Sequence, residues 1–208
     1  MAPNPATLTS LRTEVRDLLS GTSAQFADAQ VNQAILQALR EFNTVTRYRQ
    51  LLSHTVTIAK REQVVALARS DVVERVWLPF TAAAPEDPPN DRPFDYWPDQ
   101  VTIYIKGGTT PAVGDVARVF YNSPHTLNGL EAATATTFGT DDNGALVYGA
   151  AADAVNAKRR EISQLVTLHP GGTDRDLLAL AKVWRANFQA RLDAYKNRPA
   201  GGWIEVTP

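Results

Sequence analysis

Asp28-Ala29-Gln30-Val31-Asn32-Gln33-Ala34-Ile35-Leu36-Gln37-Ala38-Leu39-Arg40-Glu41-Phe42-Asn43-Thr44-Val45 decides how the rest of the chain is read. Val31, Ile35, Ala38, Phe42 and Val45 recur at steps of four and three, which sets them on one side of an α-helix. Asp28 stands where an N-cap is expected. Arg40, Glu41, Arg47 and Arg49 fall largely off the stripe and read as a solvated face, the other use of such a face being a subunit interface.

Toward the N-terminus, Leu8, Leu11, Val15, Leu18 and Leu19 make a shorter amphipathic helix, ended by Ser20-Gly21 with its αL-compatible glycine. At the other end of the chain the same period returns. Ala151, Val155, Ile162, Leu165 and Val166 predict a third helix that stops at His169-Pro170-Gly171-Gly172. Thr173-Asp174-Arg175-Asp176 then matches a capping box, and Leu177, Ala181, Trp184, Phe188 and Tyr195 mark the apolar side of a fourth. Lys196 and Arg198 suit that helix's negative end.

Between the helical ends the period changes to two. Val56 and Ile58 alternate with threonines, and Val76, Leu78 and Phe80 alternate later, so strands are expected from about Thr55. Pro85 to Pro98 is rich in prolines, which lack amide donors, and is expected as a long surface loop outside any interior ladder. Val101–Ile105 and Val116–Tyr121, joined through Gly107-Gly108, Pro111 and Gly114-Asp115, read as a β-hairpin. Asn122 to Gly144 is aperiodic and ends in the turn signal Asp142-Asn143-Gly144.

The predicted fold is therefore α+β and mainly helical. A bundle of about four helices from the N- and C-terminal segments carries an inserted β-strand and hairpin domain. The expected divisions are 1–52 and 146–198 for the helical core, 53–145 for the β-rich insertion and 199–208 for an extended arm. Within that arm, Gly201-Gly202 reads as a hinge and Trp203-Ile204-Glu205-Val206 as a strand-like end with exposed apolar side chains. A monomer gains little from such a tail.

Composition narrows the function. Lysine plus arginine number 21 against 22 acidic residues, a net charge of -1, so no long-range field draws in a polyanion. The absence of cysteine removes thiol catalysis, disulfides and thiolate-bound zinc. Met1-Ala2-Pro3-Asn4-Pro5 lacks the basic and apolar regions of a secretory signal, and no apolar run approaches the ~20 residues of a bilayer span.

Motifs for chemistry are missing too. His54, His125 and His169 lack the i,i+4 spacing of a helical metal site. Gly107-Gly108-Thr109-Thr110 and Gly171-Gly172-Thr173 lack the lysine of a phosphate loop. Asp141-Asp142 and Glu86-Asp87 have no alternating ligand spacing and read as solvated turns. No Gly-x-Ser-x-Gly elbow occurs, and Lys158-Arg159-Arg160 followed by Glu161 reads as a helix surface. No catalytic residue, metal or cofactor is expected.

In order of elements the chain resembles the head-to-tail adaptor, or connector, proteins of tailed bacteriophages. The likeness runs from about Leu8 to Arg198. It rests on Leu11-Arg12-Thr13-Glu14-Val15-Arg16-Asp17-Leu18-Leu19, on Phe26-Ala27-Asp28 leading into Val31–Phe42, on Val116–Tyr121 running into Asn122–Leu127, and on the alanine-rich helix from about Leu146. The resemblance implies a structural virion protein of the neck, made in the host bacterial cytoplasm. Such a protein forms a ring, usually of twelve copies, that docks on the portal and joins the capsid to the tail or stopper. Double-stranded DNA passes through it without sequence-specific binding, and no membrane is involved. Family members commonly reach the portal with their C-terminal segment, which makes Gly201, Gly202, Trp203, Ile204 and Val206 the expected partner-binding residues. The alternatives are another neck or tail component, such as a head-completion or tail-completion (terminator) protein, and an enzyme with an unrecognised site.

Overall fold

The computed structural model describes residues 4–19, 26–80, 90–165 and 173–197, with 161–165 and 173–177 described by their backbone alone. The fold is α+β: among the described residues there are four α-helices and two small antiparallel sheets. They divide into two compact units, one of residues up to Thr46 and from His125 onward, the other Arg47–Pro124.

In the helical unit, α1 (Leu8–Leu18) begins with a reciprocal cap, Thr7 Oγ1 accepting from the Ser10 amide at 3.2 Å while the Thr7 amide donates to Ser10 Oγ at 2.9 Å. Helix α2 (Asp28–Val45) buries Val31, Ala34, Ile35, Ala38, Leu39 and Phe42, the face its periodicity predicts. Asp28 is not the N-cap. Ala27 holds that position, and the Asp28 carboxylate turns to α1, where Arg12 approaches to 2.6 Å and Arg16 also pairs with it. Two guanidiniums outbid a backbone amide for one carboxylate.

Helix α3 (Asn143–Leu165) starts before the expected Leu146, because a 3₁₀ turn at Thr140–Asp142 feeds directly into it. The Asp142-Asn143-Gly144 turn signal thus marks a helix start. Helix α4 (Thr173–Lys196) buries Ala181, Trp184, Phe188 and Leu192. Gly149 of α3 lets α4 come close: a Cβ there would lie 3.0 Å from the Phe188 ring.

The aperiodic stretch before α3 packs with the helices. Leu127, Leu130 and Phe138 join the core of the four helices. Polar groups sew the N-terminal segment to it: the Leu8 amide donates to the Asn128 carbonyl at 2.8 Å, Thr136 Oγ1 to the Ala6 carbonyl at 2.5 Å, and Asn4 Nδ2 to the Phe138 carbonyl at 3.1 Å. Buried backbone without regular structure must find partners, and side chains supply them here.

In the β unit, one sheet has the order β1 (Tyr48–Thr55), β6 (Val116–Ser123), β3 (Val72–Trp77). The other has the order β2 (Glu62–Val64), β5 (Thr102–Ile105), β4 (Phe94–Trp97). Val56, Val65, Val73, Val76, Leu78, Ile103, Ile105, Ala117 and Val119 make one shared core. The expected hairpin of Val101–Ile105 with Val116–Tyr121 does not form: β5 pairs with β2 and β4, and β6 with β1 and β3. Each run is a central strand, so its neighbours are set by edge strands whose weak patterns the sequence hides.

Two further expectations change. The first strand starts at Tyr48, well before Thr55, so Arg49 lies in a strand. Inside the proline-rich loop, Phe94–Trp97 forms a four-residue edge strand flanked by Pro93 and Pro98, an edge being where neighbouring prolines are tolerated. Residues 85–89 of that loop, Ser20-Gly21, Val166 and His169–Gly172 lie outside the described residues, as do the side chains of Ile162, Leu165, Thr173–Asp176 and Leu177.

Candidate assembly surface

The sequence-predicted partner-binding residues Gly201, Gly202, Trp203, Ile204 and Val206 lie outside the described residues, as do Arg198, Glu86, Asp87 and His169. The remaining candidates are scattered. His54 is in β1, its Nε2 3.4 Å from Gln63 Oε1. The His125 ring lies tilted against Phe42 at 5.3 Å between centroids, and the Asn43 amide side chain clamps its backbone, accepting from its N–H at 2.6 Å and donating to its carbonyl at 3.1 Å. Burial lowers the pKa of His125 below its ordinary value, against the raising pull of Thr137 and Asp142. Gly107-Gly108 form no phosphate cradle. Their φ angles are +65° and +61°, and Arg61 donates to both carbonyls, at 3.0 and 2.8 Å.

Asp142 corrects the reading of the Asp141-Asp142 pair as a solvated turn. Its side chain is buried and takes hydrogen bonds from Arg191 Nε at 2.8 Å and from Tyr195 Oη at 2.7 Å. That bond holds the Arg191 guanidinium above its ordinary pKa. Tyr195 in turn meets Phe42 edge-on at 5.6 Å. A single carboxylate thus ties the entry of α3 to the last turns of α4.

A second charged contact joins three helices. Arg185 of α4 pairs with Glu41 of α2 and lies 3.5 Å from Asp153 of α3. Two carboxylates share one cation, and the closer one is Glu41. Asp153 Oδ2 is buried without a hydrogen-bond partner. Desolvation, with Glu41 adding to it and Arg185 opposing it, pushes the Asp153 pKa up to about 6. These groups are partly exposed, and the contact they make joins α2, α3 and α4.

The surface left over is the outer side of α4. At 100° per residue, Ala179, Leu180, Val183, Asn187, Ala190 and Ala194 fall within a sector of about 100° opposite the buried Ala181, Phe188 and Leu192. All six are exposed, Leu180 by 46% and Val183 by 55%, and none carries a charge. One side of α4 seals the core; the other presents apolar and small side chains to solvent. Its signal was in the sequence, since Ala179, Val183, Ala186, Ala190 and Ala194 step by four and three, but the stronger Trp184-Phe188-Leu192 stripe masks it.

Among the described residues no cluster of three or more histidine, aspartate or glutamate side chains is placed to hold a metal ion, and no helix is long and apolar enough to cross a membrane. No family model and no curated protein matches the chain. Among solved structures, a chain of one described as the neck of a native GTA particle computed with C12 symmetry aligns with 88% of this chain and 92% of its own length, at 16% identity and a TM-score of 0.30.

Proposed function

We propose that this chain is a structural subunit of a phage-type neck: a head-to-tail adaptor that assembles as a ring, docks on a portal and joins the capsid to a tail or stopper while DNA passes through. The observation that carries the reading is the outer face of α4. A helix already committed to the core on one side shows four turns of uncharged, mostly apolar surface on the other. A second copy of the chain is its occupant in this reading. Small side chains let neighbouring helices approach closely, and a face without charge has nothing to offer the DNA backbone. The order of elements, helices from both chain ends around a β insertion, supports the adaptor assignment over an enzyme.

The C-terminal residues Trp203, Ile204 and Val206, preceded by the hinge Gly201-Gly202, act in this reading as an arm that docks on a partner in the assembly. The deciding experiment is native mass measurement of the purified protein, followed by imaging with and without portal. A ring that binds portal is expected. A strict monomer indifferent to portal overturns the proposal, and co-purification with tail tube in place of portal reassigns the chain to a tail-completion role.

A further inference from the structure

The sheet β2-β5-β4 has one face on the core of the β unit and the other in solvent. Ile103 and Ile105 belong to that core, and Phe94 and Tyr96 pack against it. By strand alternation the rows Val64–Thr102–Trp97 and Glu62–Tyr104–Asp95 point the other way. Their apolar members, Val64, Tyr104 and Trp97, take no part in the core.

On this outer face Val64 is 71% and Trp97 39% exposed. The Trp97 ring is held by stacking on Tyr104, with centroids 5.8 Å apart and planes 24° from parallel. Beside it, Pro98, Asp99 and Gln100 of the turn into β5 complete an open hollow against the indole. A single exposed apolar side chain is ordinary, but a tryptophan, a tyrosine and a valine on one sheet face form a patch that the fold itself does not bury. Tryptophan and tyrosine are also the side chains most enriched where proteins meet.

Charge decides what this patch takes. Asp95 is paired with Lys106 at 2.6 Å, and Arg61 directs its guanidinium to the carbonyls of Ile105, Gly107 and Gly108. Glu62 and Asp99, both exposed, have no ion pair among the described residues. An aromatic surface edged by two unpaired carboxylates attracts a cation. A planar guanidinium answers both features at once, lying on the ring while it donates to carboxylate oxygens. The same edge disfavours a nucleic acid, whose bases could stack but whose phosphates are repelled. It equally disfavours the chain's own acidic segments around Glu86-Asp87 and Glu205.

We propose that the outer face of β2-β5-β4 docks an arginine-bearing segment of a protein partner, its guanidinium against Trp97 and beside Asp99, its neighbouring apolar side chains on Val64 and Tyr104. The site lies wholly in the β unit and does not depend on the ring reading, so either can fail alone.

The test is an NMR titration of the full-length, nitrogen-15-labelled protein with a capped tetrapeptide of alternating valine and arginine. The chain has four tryptophans, so the Trp97 indole signal is identified by its loss in Trp97→Phe. Saturable shifts of that signal and of the Val64 amide are expected, with the lysine counterpart bound about threefold more weakly and the glutamate counterpart not at all. Glu62→Gln with Asp99→Asn is expected to weaken binding about fivefold, and added salt to weaken it further. Trp97→Ala is expected to weaken it by about tenfold. The paired acid variant alters only exposed positions, so it keeps the test decisive if Trp97→Ala does not fold. Silence of the Trp97 signal up to about 10 mM peptide, equal binding of the glutamate peptide, or full affinity in the paired acid variant overturns the proposal. So does a shift of Trp97 by maltohexaose or a single-stranded oligonucleotide where the arginine peptide gives none, which would assign the platform to that ligand.

Discussion

Asp153 is the residue whose surroundings most strain its ordinary chemistry. A carboxylate that shares Arg185 with the closer Glu41, and has one oxygen buried without a partner, is poorly compensated. Its pKa, about 6 in the fold against an ordinary 3.8, means the native state holds the proton more tightly than the unfolded chain. The stabilising contribution is therefore complete below about pH 4 and lost as pH rises through about 6. Asp153→Asn is expected to raise stability at pH 7.5 by about 1–2 kcal/mol and to leave it little changed near pH 4, as read from urea midpoints across that range. His125 has the opposite sign. Its lowered pKa gives a contribution present above its ordinary 6.5 and lost as pH falls, so the difference between wild type and Asp153→Asn isolates the carboxylate. A difference that stays flat from pH 4 to 7.5 would show that Asp153 is not desolvated as described.

At the scale of elements, α4 carries two separable duties. Its inner side meets α3 at Gly149, where the fully buried Phe188 ring leaves no room for a methyl group. Alanine at position 149 has the better helix propensity by about 1 kcal/mol, yet Gly149→Ala is expected to destabilise the protein by about 1–2 kcal/mol through overpacking. An unchanged or higher Tm would mean that Phe188 can shift. On the outer side, Val183→Glu alters an exposed position away from the core, so the monomer's stability is expected to stay within about 0.5 kcal/mol. Sedimentation should show self-association weakened at least tenfold, because the charge must be desolvated on contact. Normal rings from this variant would locate the subunit contact on another surface.

For the whole molecule, charge balance is the controlling quantity. With 21 basic and 22 acidic residues, and many exposed charges already paired, the chain has no surplus to release counterions from DNA. The proposed conduit role requires this property, since a duplex must slide through such a ring. Duplex DNA is expected to show no retention by the immobilised protein at about 0.15 M salt. Tight, salt-dependent binding would contradict the conduit role.

What the sequence by itself determined was the class of each element and the order in which they come. A period of 3.6 in Val31–Phe42 and Ala181–Phe188, and of two around Val76 and Leu78, follows from backbone geometry and needs no partner to be read. It could not determine which strands pair. The β5 and β6 runs look like a hairpin because they are neighbours in the chain. Only the shared core of Val56, Ile103 and Val119 separates them into two sheets. Nor could it place Asp142, whose aspartate in a turn-forming stretch reads as solvated until the fold brings Arg191 and Tyr195 from 49 and 53 residues away. Apolar spacing is a local property recorded residue by residue. Strand partners, a buried charge and an uncovered helix face are properties of what lies opposite, and only the tertiary structure supplies it.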